Sequence, residues 1–557
     1  MLKKLAKALA LVLAAAMAVI VFNGITFQKK VNNRPLPSYY KKGAFHVHST
    51  FSDGAGSVAE ISRDARAQNL DFVILSDHGL PNLRATAATA WLNDTLVIGS
   101  SEFPLQAGHL AAAGYRVPGY VFPPEAQEAI DEVDRDQGVT FVSHPLDRKI
   151  PWTDWQARNF TGIEILSLYQ LAKKNLLYGA TLFPLQYLLS PDYALTALIS
   201  YPEKELGIWD RLNRRGKYYG IYALDAHAKL STGKRSYLRF PSYAATFRIL
   251  NVYVKVDREL DQDPRTAAAT VIASLRRGNF FSVVESLAAA NGFECYYLEA
   301  DGRRVEMGGD ALAAGGSLVL KLPFGFSTDI KIIKDGAAFL TVRDNSRQEL
   351  TVPVSGPGVY RCEVSLHAGR LKNLPWILAN PIFIARPLQA IEPAPVTARA
   401  VLNDAGAYFQ VEKNSRSRAD LFLEKEKDGR TVTRFAFTLR RESPGQVDFW
   451  TALARRQKLD FSGYRGFVFA VRGSRAMRFW LQFRTFSGGR ESAFQHSFPV
   501  GTDWKQVAIP FDRFHRLYGV AVPPDLARVS AFFFLVDNGD SFTDAGGEIN
   551  LGPIGLY

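Results

Sequence analysis

Residues 43–54 read Gly-Ala-Phe-His-Val-His-Ser-Thr-Phe-Ser-Asp-Gly, a short apolar run that carries two histidines and breaks into a polar loop. The run from Gly43 to His48 reads as a β-strand. Side chains alternate along a strand, so His46 and His48 share a face and both imidazoles can reach one metal ion, while Asp53 on the following loop can reach a neighbouring ion. The pattern returns downstream. Phe72 to Ser76 ends in Asp77-His78, Thr95 to Ser101 leads into Glu102, Gly108-His109 follows, Val139 to Ser143 ends in His144-Pro145, and Tyr219 to Leu224 ends in Asp225-Ala226-His227. With Gly162 to Ser167 and the helical stretches between them, these segments give residues 43–290 the βα rhythm of a parallel barrel or sheet, whose strand ends gather on one face.

A single histidine is more often a packed core residue than a ligand. Here six of nine histidines fall between His46 and His227, each at or just beyond an expected strand end, with three carboxylates in matching places. Burying that many ionisable groups without a cation is unfavourable by several kcal/mol for each uncompensated charge. With only Cys295 and Cys362 in the chain, a thiolate zinc cluster is excluded, so the donors must be nitrogen and oxygen. The two cysteines fall in one expected β region, where a bridge formed in an oxidising compartment and two separate buried thiols both remain open.

Taken in order, His46-x-His48, Ser76-Asp77-His78, Glu102, His109, Ser143-His144-Pro145 and Asp225-x-His227 resemble the PHP (polymerase and histidinol phosphatase) superfamily over about residues 43–290. The resemblance implies a distorted (β/α)7 barrel with two or three divalent ions, and nitrogen and oxygen donors suit Zn, Mn or Fe. It implies that His46, His48, Glu102 and Asp225 hold one ion, Asp53, His78 and His227 a second, and Glu102, His109 and His144 a third, with Glu102 bridging. The implied activity is hydrolysis of phosphate mono- or diesters by a metal-bridged hydroxide, with no protein nucleophile. Asp77 is expected to orient an imidazole rather than bind metal, and Arg148 and Lys229 are candidate phosphate contacts whose plainer reading is solvated surface charge.

The remaining sequence sets the context. A chain of 557 residues, 47% hydrophobic and 22% charged, holds material for two to four folded domains. Its net charge of +13 suits an anionic partner, although the scatter of Lys and Arg favours the plainer reading of a basic solvated surface, and there is no motif or basic stripe for sequence-specific nucleic-acid binding. Lys3, Lys4 and Lys7 precede an apolar run from Ala8 to Phe22. That layout marks an exported chain, read as an uncleaved anchor facing the periplasm, or a secreted protein if the segment is removed. The expected organisation is an anchor at 1–27, a linker at 28–42, the catalytic barrel at 43–290, an immunoglobulin-like β-sandwich at 291–385, a linker at 386–397 and a galactose-binding-like jelly roll at 398–557. Within the barrel, Leu171 to Tyr201 is rich in Leu and aromatics; packed barrel helices are the preferred reading and a helical insertion on the bilayer the other.

Gly358 to Val364 and Asn380 to Ile382 resemble the immunoglobulin-like appendage of some PHP barrels, while Leu459 to Gly466 and Asp503 to Phe511 resemble the jelly roll shared by some carbohydrate-binding modules and an NADH dehydrogenase assembly factor. In Met477 to Arg484 the odd positions should face the core, leaving Arg478, Trp480, Gln482 and Arg484 as a stacking face for a sugar or anionic ligand unless another domain covers it. His367, His496 and His515 show no ligand spacing. The expected substrate is a phosphorylated small molecule, a nucleotide or an envelope component; the competing readings are hydrolysis of a non-phosphate bond and a carbohydrate-binding or adhesion protein with a vestigial barrel.

Overall fold

The computed structural model describes residues 29–117, 120–174, 183–232, 236–368, 371–386, 396–403, 409–426, 429–440, 450–487, 489–519, 523–537 and 546–557, with 17–19, 21, 22, 24, 26 and 27. Most of the apolar run from Ala8 to Phe22 and most of the 386–397 linker lie outside the described residues. Among the described residues no helix is long and apolar enough to cross a membrane. Two compact units form, residues 1–116 with 124–388, and residues 117–123 with 389–557. The chain is multidomain, an α/β region with mixed sheets followed by antiparallel β-sandwich structure.

In the first unit the strands that position the histidines are β1 (Tyr40–Val47), β2 (Phe72–Leu75), β3 (Asp77–His78), β4 (Ala90–Leu92), β5 (Thr95–Ile98), β6 (Ser101–Leu105), β7 (Gly108–Ala113), β8 (Val139–Val142), β9 (Gly162–Ser167) and β10 (Tyr219–Ala223). β1 pairs in parallel with β2, and β2 with β5. At Ser76, and again at Gly99 and Ser100, the chain passes from that sheet into a second one, where β3 pairs in parallel with β6 and the order continues through β7, β8, β9 and β10. The end of β10 returns to β1: Leu224 N donates to Phe45 O at 3.1 Å, Ala226 N to His46 O at 3.1 Å, and His48 N to Ala226 O at 3.0 Å.

The six expected strands are present with ends moved by a few residues. β7 was not expected, because Gly-His-Leu-Ala-Ala-Ala lacks the β-branched and aromatic residues that mark a strand; its antiparallel pairing with β6 and β8 makes the sheet mixed rather than parallel. A core of Phe45, Phe72, Ile74, Phe141 and Ile221 meets Val271, Ile272 and Leu275 on the helix Pro264–Arg276, which starts on the Asp263 cap. The helix Val58–Ala67 starts on a capping box between Ser57 and Glu60, fixing the exit of the loop after β1.

Beyond β10 come a hairpin of β11 (Leu230–Ser231) and β12 (Tyr237–Leu238), then β13 (Leu250–Lys255), antiparallel to β1, and β14 (Phe280–Val284), antiparallel to β13. Leu371–Ile384 pairs with β14 and is followed outward by Gly358–Ala368, Thr328–Lys334 and Ala337–Asn345, so residues from the 291–385 region extend the sheet that begins at β1. Arg304–Glu306, Glu294–Leu298, Ser317–Lys321 and Glu349–Pro353 form a separate four-stranded antiparallel sheet. Cys295 and Cys362 are buried, free thiols, and burial pushes Cys295 up to about 12.

The second unit is two antiparallel sheets enclosing a phenylalanine-rich core. One contains Arg418–Lys425, Thr431–Thr438, Gly546–Leu556, Gly466–Gly473 and Lys505–Pro510; the other contains Trp450–Leu459, Val529–Asp537, Met477–Ser487 and Arg490–Val500. Met477, Phe479, Leu481 and Phe483 point into the core, as strand alternation requires.

Candidate metal centre

The nine donors converge at the strand ends. His46 Nε2 lies 3.0 Å from His48 Nε2, 3.4 Å from Glu102 Oε1 and 3.7 Å from Asp225 Oδ1, while His48 Nε2 lies 3.6 Å from Glu102 Oε2 and 3.4 Å from Asp225 Oδ1. Donors about 2.0–2.2 Å from one cation stand about 2.8–3.6 Å apart in octahedral or tetrahedral geometry, so the separations among His46, His48 and Glu102 suit a shared cation, with Asp225 close to both histidines. Asp53 Oδ1 sits 3.2 Å from His227 Nε2, 3.6 Å from His48 Nδ1 and 3.8 Å from His78 Nε2. Glu102 Oε1 sits 3.2 Å from His144 Nε2 and 3.3 Å from His109 Nδ1, and Glu102 Oε2 sits 3.0 Å from His78 Nδ1. Three groups whose donor atoms lie within 4.8 Å of one another are His46, His48 and Glu102; His48, Asp53, His78 and His227; and His78, Glu102 and His109. The clusters are consistent with metal binding, but they divide differently from the expected sets: His48 also falls with Asp53, His78 and His227, Glu102 belongs to two groups, and Asp225 and His144 stand beside them without belonging to one.

The local backbone departs from the simple strand expected at the first motif. The register of β1 against β2 slips between Ala44 and Val47, and His46 adopts φ +67°, so the two imidazoles converge through a bulge rather than plain alternation. His144 and Asp225 also take positive φ, at +29° and +50°. Such conformations cost about 1–3 kcal/mol each in a non-glycine residue, and they collect where geometry serves a site.

Burial separates the inner donors from the outer ones. His46, His48, Glu102 and Asp225 are buried, whereas the Asp53 side chain is 51% exposed and that of His78 32% exposed, so solvent reaches the cluster beside these two. Burial opposes charge on Glu102, Asp225 and Asp53, yet the surrounding imidazoles hold all three carboxyls below their ordinary range. His144 is resisted by burial but raised to about 9 by Glu102 and Asp225; His46, His78 and His227 are also raised by carboxylates. His48, buried and beside His227, falls to about 4. Protons on the imidazoles thus supply positive charge that the carboxylates demand.

Two observations test whether the residues fit cations. Glu102 Oε1 is buried without a hydrogen-bond partner although three imidazole nitrogens surround it. With neutral imidazoles, Asp53, Glu102, Glu164 and Asp225 bring four negative charges together, which two divalent ions balance. Both observations fit divalent cations held by nitrogen and oxygen.

Glu164, on β9, was not singled out in the sequence. It is buried, its Oε1 lies 2.5 Å from His46 Nδ1 and its Oε2 accepts from the backbone N–H of His144 at 2.7 Å. With Nδ1–H donated to Glu164, His46 Nε2 keeps its lone pair toward the cluster. The available signal was a lone acidic residue within the buried strand Gly-Ile-Glu-Ile-Leu-Ser. His227 Nδ1 lies 3.0 Å from Asp225 O, which leaves Nε2 toward Asp53 in the same way. Asp77 accepts from Ser49 N, Ser49 Oγ and Ser52 Oγ at 2.7–2.8 Å, and Ser52 Oγ lies 3.5 Å from His48 Nδ1, so Asp77 reaches an imidazole through a serine and shapes the loop that carries Asp53.

The other candidates lie apart from this cluster or at its margin. Lys229 Nζ donates to Asp53 O at 3.0 Å and sits over the Tyr237 ring, while Arg148 is exposed. In the second unit Arg478 and Gln482 are buried, and Trp480 and Arg484 are half-buried; Arg478 Nη2 donates to Ser497 Oγ at 2.7 Å and Arg484 lies over Phe533. Trp480 meets His515 edge-on at 6.0 Å. His496 Nδ1 lies 3.1 Å from Arg513 O, and the side chain of His367 lies outside the described residues.

No protein-family model matches the chain, and no curated protein matches it. Among solved structures it is distantly similar to a two-domain protein from Bacteroides vulgatus described as containing a predicted PHP-like metal-dependent phosphoesterase, at 13% identity and TM-score 0.31 over 64% of this chain and 99% of that one. It is also similar to a family 11 carbohydrate-binding module from Clostridium thermocellum, at 16% identity and TM-score 0.23 over 29% of this chain and 96% of that one. A family 30 carbohydrate-binding module from a Clostridium thermocellum cellulase gives 15% identity and TM-score 0.23 over 29% and 98%. Likenesses at this level say nothing about activity.

Proposed function

We propose that this protein is a PHP-type, metal-dependent phosphoesterase that cleaves phosphate mono- or diesters outside the cytoplasm. One observation carries the reading: the buried side chains of His46, His48 and Glu102 bring their donor atoms within reach of a single cation, with two further donor groups sharing His48, His78 or Glu102 and with Asp225 beside both inner histidines. The strands from β1 round to β10, rejoined by the Leu224–Phe45 and Ala226–His46 hydrogen bonds, are read as the distorted (β/α)7 barrel.

In this reading His46, His48, Glu102 and Asp225 hold one divalent ion, Asp53, His78 and His227 a second, and Glu102 with His109 and His144 a third if three are bound. Divalent ions in such a site acidify bound water and neutralise charge developing on a phosphoryl group. The chain's own residues prepare that chemistry. Glu164 fixes the tautomer of His46, Asp77 holds the Ser49–Asp53 loop in place, and the exposed edge at Asp53 and His78 admits the ester. Lys229, tied to the Asp53 backbone, stands at that edge with its charge available to a phosphate oxygen.

The test is elemental analysis of the purified full-length protein together with hydrolysis of p-nitrophenyl phosphate and bis-p-nitrophenyl phosphate, alongside His46→Ala and Asp225→Ala. The expected result is two or three ions per chain and activity that both substitutions abolish. Folded protein that takes up no Zn, Mn or Fe and cleaves neither ester refutes the proposal.

A further inference from the structure

An apolar face adjoins the hairpin that follows His227. The helix Phe183–Leu189 leaves Leu188 82% exposed and Leu189 49% exposed. The β11–β12 hairpin, which begins three residues after His227, leaves Leu230, Tyr237 and Leu238 between 46% and 59% exposed. The two segments belong together: Tyr187 packs on Phe240 with ring centroids 4.5 Å apart, Phe183 packs on Phe240 at 5.8 Å, and Ser242 N donates to Tyr187 Oη at 3.4 Å.

The N-terminal segment says what covers this face. Gly24 lies against Leu189 and Ser190, close enough that an added Cβ would stand 3.7 and 3.6 Å from their Cβ atoms, and Phe27 packs edge-on against Tyr193 at 5.5 Å. The segment that arrives there continues back through Phe22, Val19 and Met17, whose side chains are 45–54% exposed, into the apolar run that starts at Ala8. Such a run has its favoured surroundings in a bilayer. Leu188 and Leu189 therefore sit where the anchor would leave the hydrocarbon, next to tyrosines whose apolar rings and polar tips suit the interface.

We infer that this face rests in the lipid bilayer that holds the N-terminal segment, and that the metal centre works at headgroup level on a phosphoester carried by a lipid. The substrate part rests on the phosphoesterase reading; the seating does not. Geometry ties the two: the Tyr169 ring lies 5.0 Å from His227, and Lys229, between His227 and the hairpin, bonds the Asp53 carbonyl and lies over Tyr237. A lipid headgroup at the hairpin thus meets the open edge of the cluster.

Spin labels on Leu188→Cys and Leu238→Cys in the full chain, reconstituted in phosphatidylcholine–phosphatidic acid vesicles, report the seating directly, because Cys295 and Cys362 are buried and a label on Leu312→Cys, at an 82% exposed position, serves as the aqueous reference. The expected result is a ratio of oxygen to water-soluble nickel collision at least fivefold higher at positions 188 and 238 than at 312. Equal ratios at all three positions overturn the seating whatever the activity. In the same vesicles, the rate of phosphate release from phosphatidic acid relative to p-nitrophenyl phosphate should fall at least fivefold in the Leu188→Asp, Leu238→Asp double variant; an unchanged ratio overturns the lipid-borne substrate. Metal-loaded protein that releases phosphate from neither compound overturns the lipid phosphomonoester as substrate, and if it also leaves bis-p-nitrophenyl phosphate intact it sinks the phosphoesterase reading, while the labels still decide the seating.

Discussion

Replacing Glu164 with Gln tests how the cluster would hold a metal without touching a proposed ligand. The wild-type carboxylate receives two donors, His46 Nδ1–H at 2.5 Å and the His144 N–H at 2.7 Å, and it is fully buried, so water does not compensate for a lost bond. Gln has one carbonyl oxygen; its amide nitrogen must face one of the two donors, leaving one charge-assisted bond missing and a donor opposed to a donor. A buried hydrogen bond to a charged group contributes about 1.5–3 kcal/mol. If most of that loss falls on the metal-bound state, in which His46 must present Nε2, affinity drops about ten- to a hundredfold, the range found for partners that orient ligating histidines. Competition against a fluorescent zinc chelator measures the affinity, and near-ultraviolet circular dichroism checks that the variant is folded. A folded Glu164→Gln protein that binds zinc within twofold of wild type would refute the claim that Glu164 sets the His46 tautomer.

Further outcomes follow from the same geometry. Removing metal with a chelator should lower the unfolding temperature of the protein, since a ligand at a thousand times its dissociation constant stabilises by about 4 kcal/mol, and differential scanning calorimetry with and without added Zn or Mn measures this. Metal uptake should release protons at neutral pH: His144, raised to about 9, and His46, raised well above its ordinary value by Glu164, Glu102 and Asp225, carry protons in the metal-free protein and must be neutral to bind. Affinity therefore rises with pH, and binding enthalpies should vary with the ionisation enthalpy of the buffer; invariance contradicts the charge state deduced here. In the metal-free protein the stabilisation from His144 is complete below its ordinary 6.5 and fades as pH rises through about 9, which urea titrations at several pH values follow. Asp77→Ala strips acceptors from Ser49 and Ser52, so it should cost about 1–3 kcal/mol and weaken binding at the Asp53 side of the cluster, seen as fewer ions retained on dialysis. Phe479→Ala, in the core of the second unit, should cost about 3–5 kcal/mol in denaturant titrations while leaving metal content as it was.

The donor list was legible because its chemistry is local. Most of the histidines and carboxylates stand at or just after an apolar strand, His109 at the start of β7 being the exception, and a run such as Phe-Val-Ile-Leu before Ser-Asp-His announces both the strand and its end. The core face of Met477–Ser487 was equally legible, since alternation alone sorts Phe479, Leu481 and Phe483 from their neighbours. β7 was not, because its alanines carry no strand signal and it forms by pairing with β6 and β8. Burial of Arg478 and Gln482 also lay beyond the pattern, which separates the two faces of a strand but not covered from open ones.

By itself, then, the sequence determined which histidines and carboxylates come together, in what order they come, and that sulfur is not among them. Tertiary structure alone decided the separations that gather the donors into groups, the bulge and positive φ that turn His46 inward, the carboxylate of Glu164 behind it, and the meeting of the apolar hairpin with the helix beside the N-terminal segment. The physical reason is distance along the chain: residue type and strand period act between neighbours, whereas His46 and Glu164, or Tyr187 and Phe240, meet only when the sheets bring remote segments together.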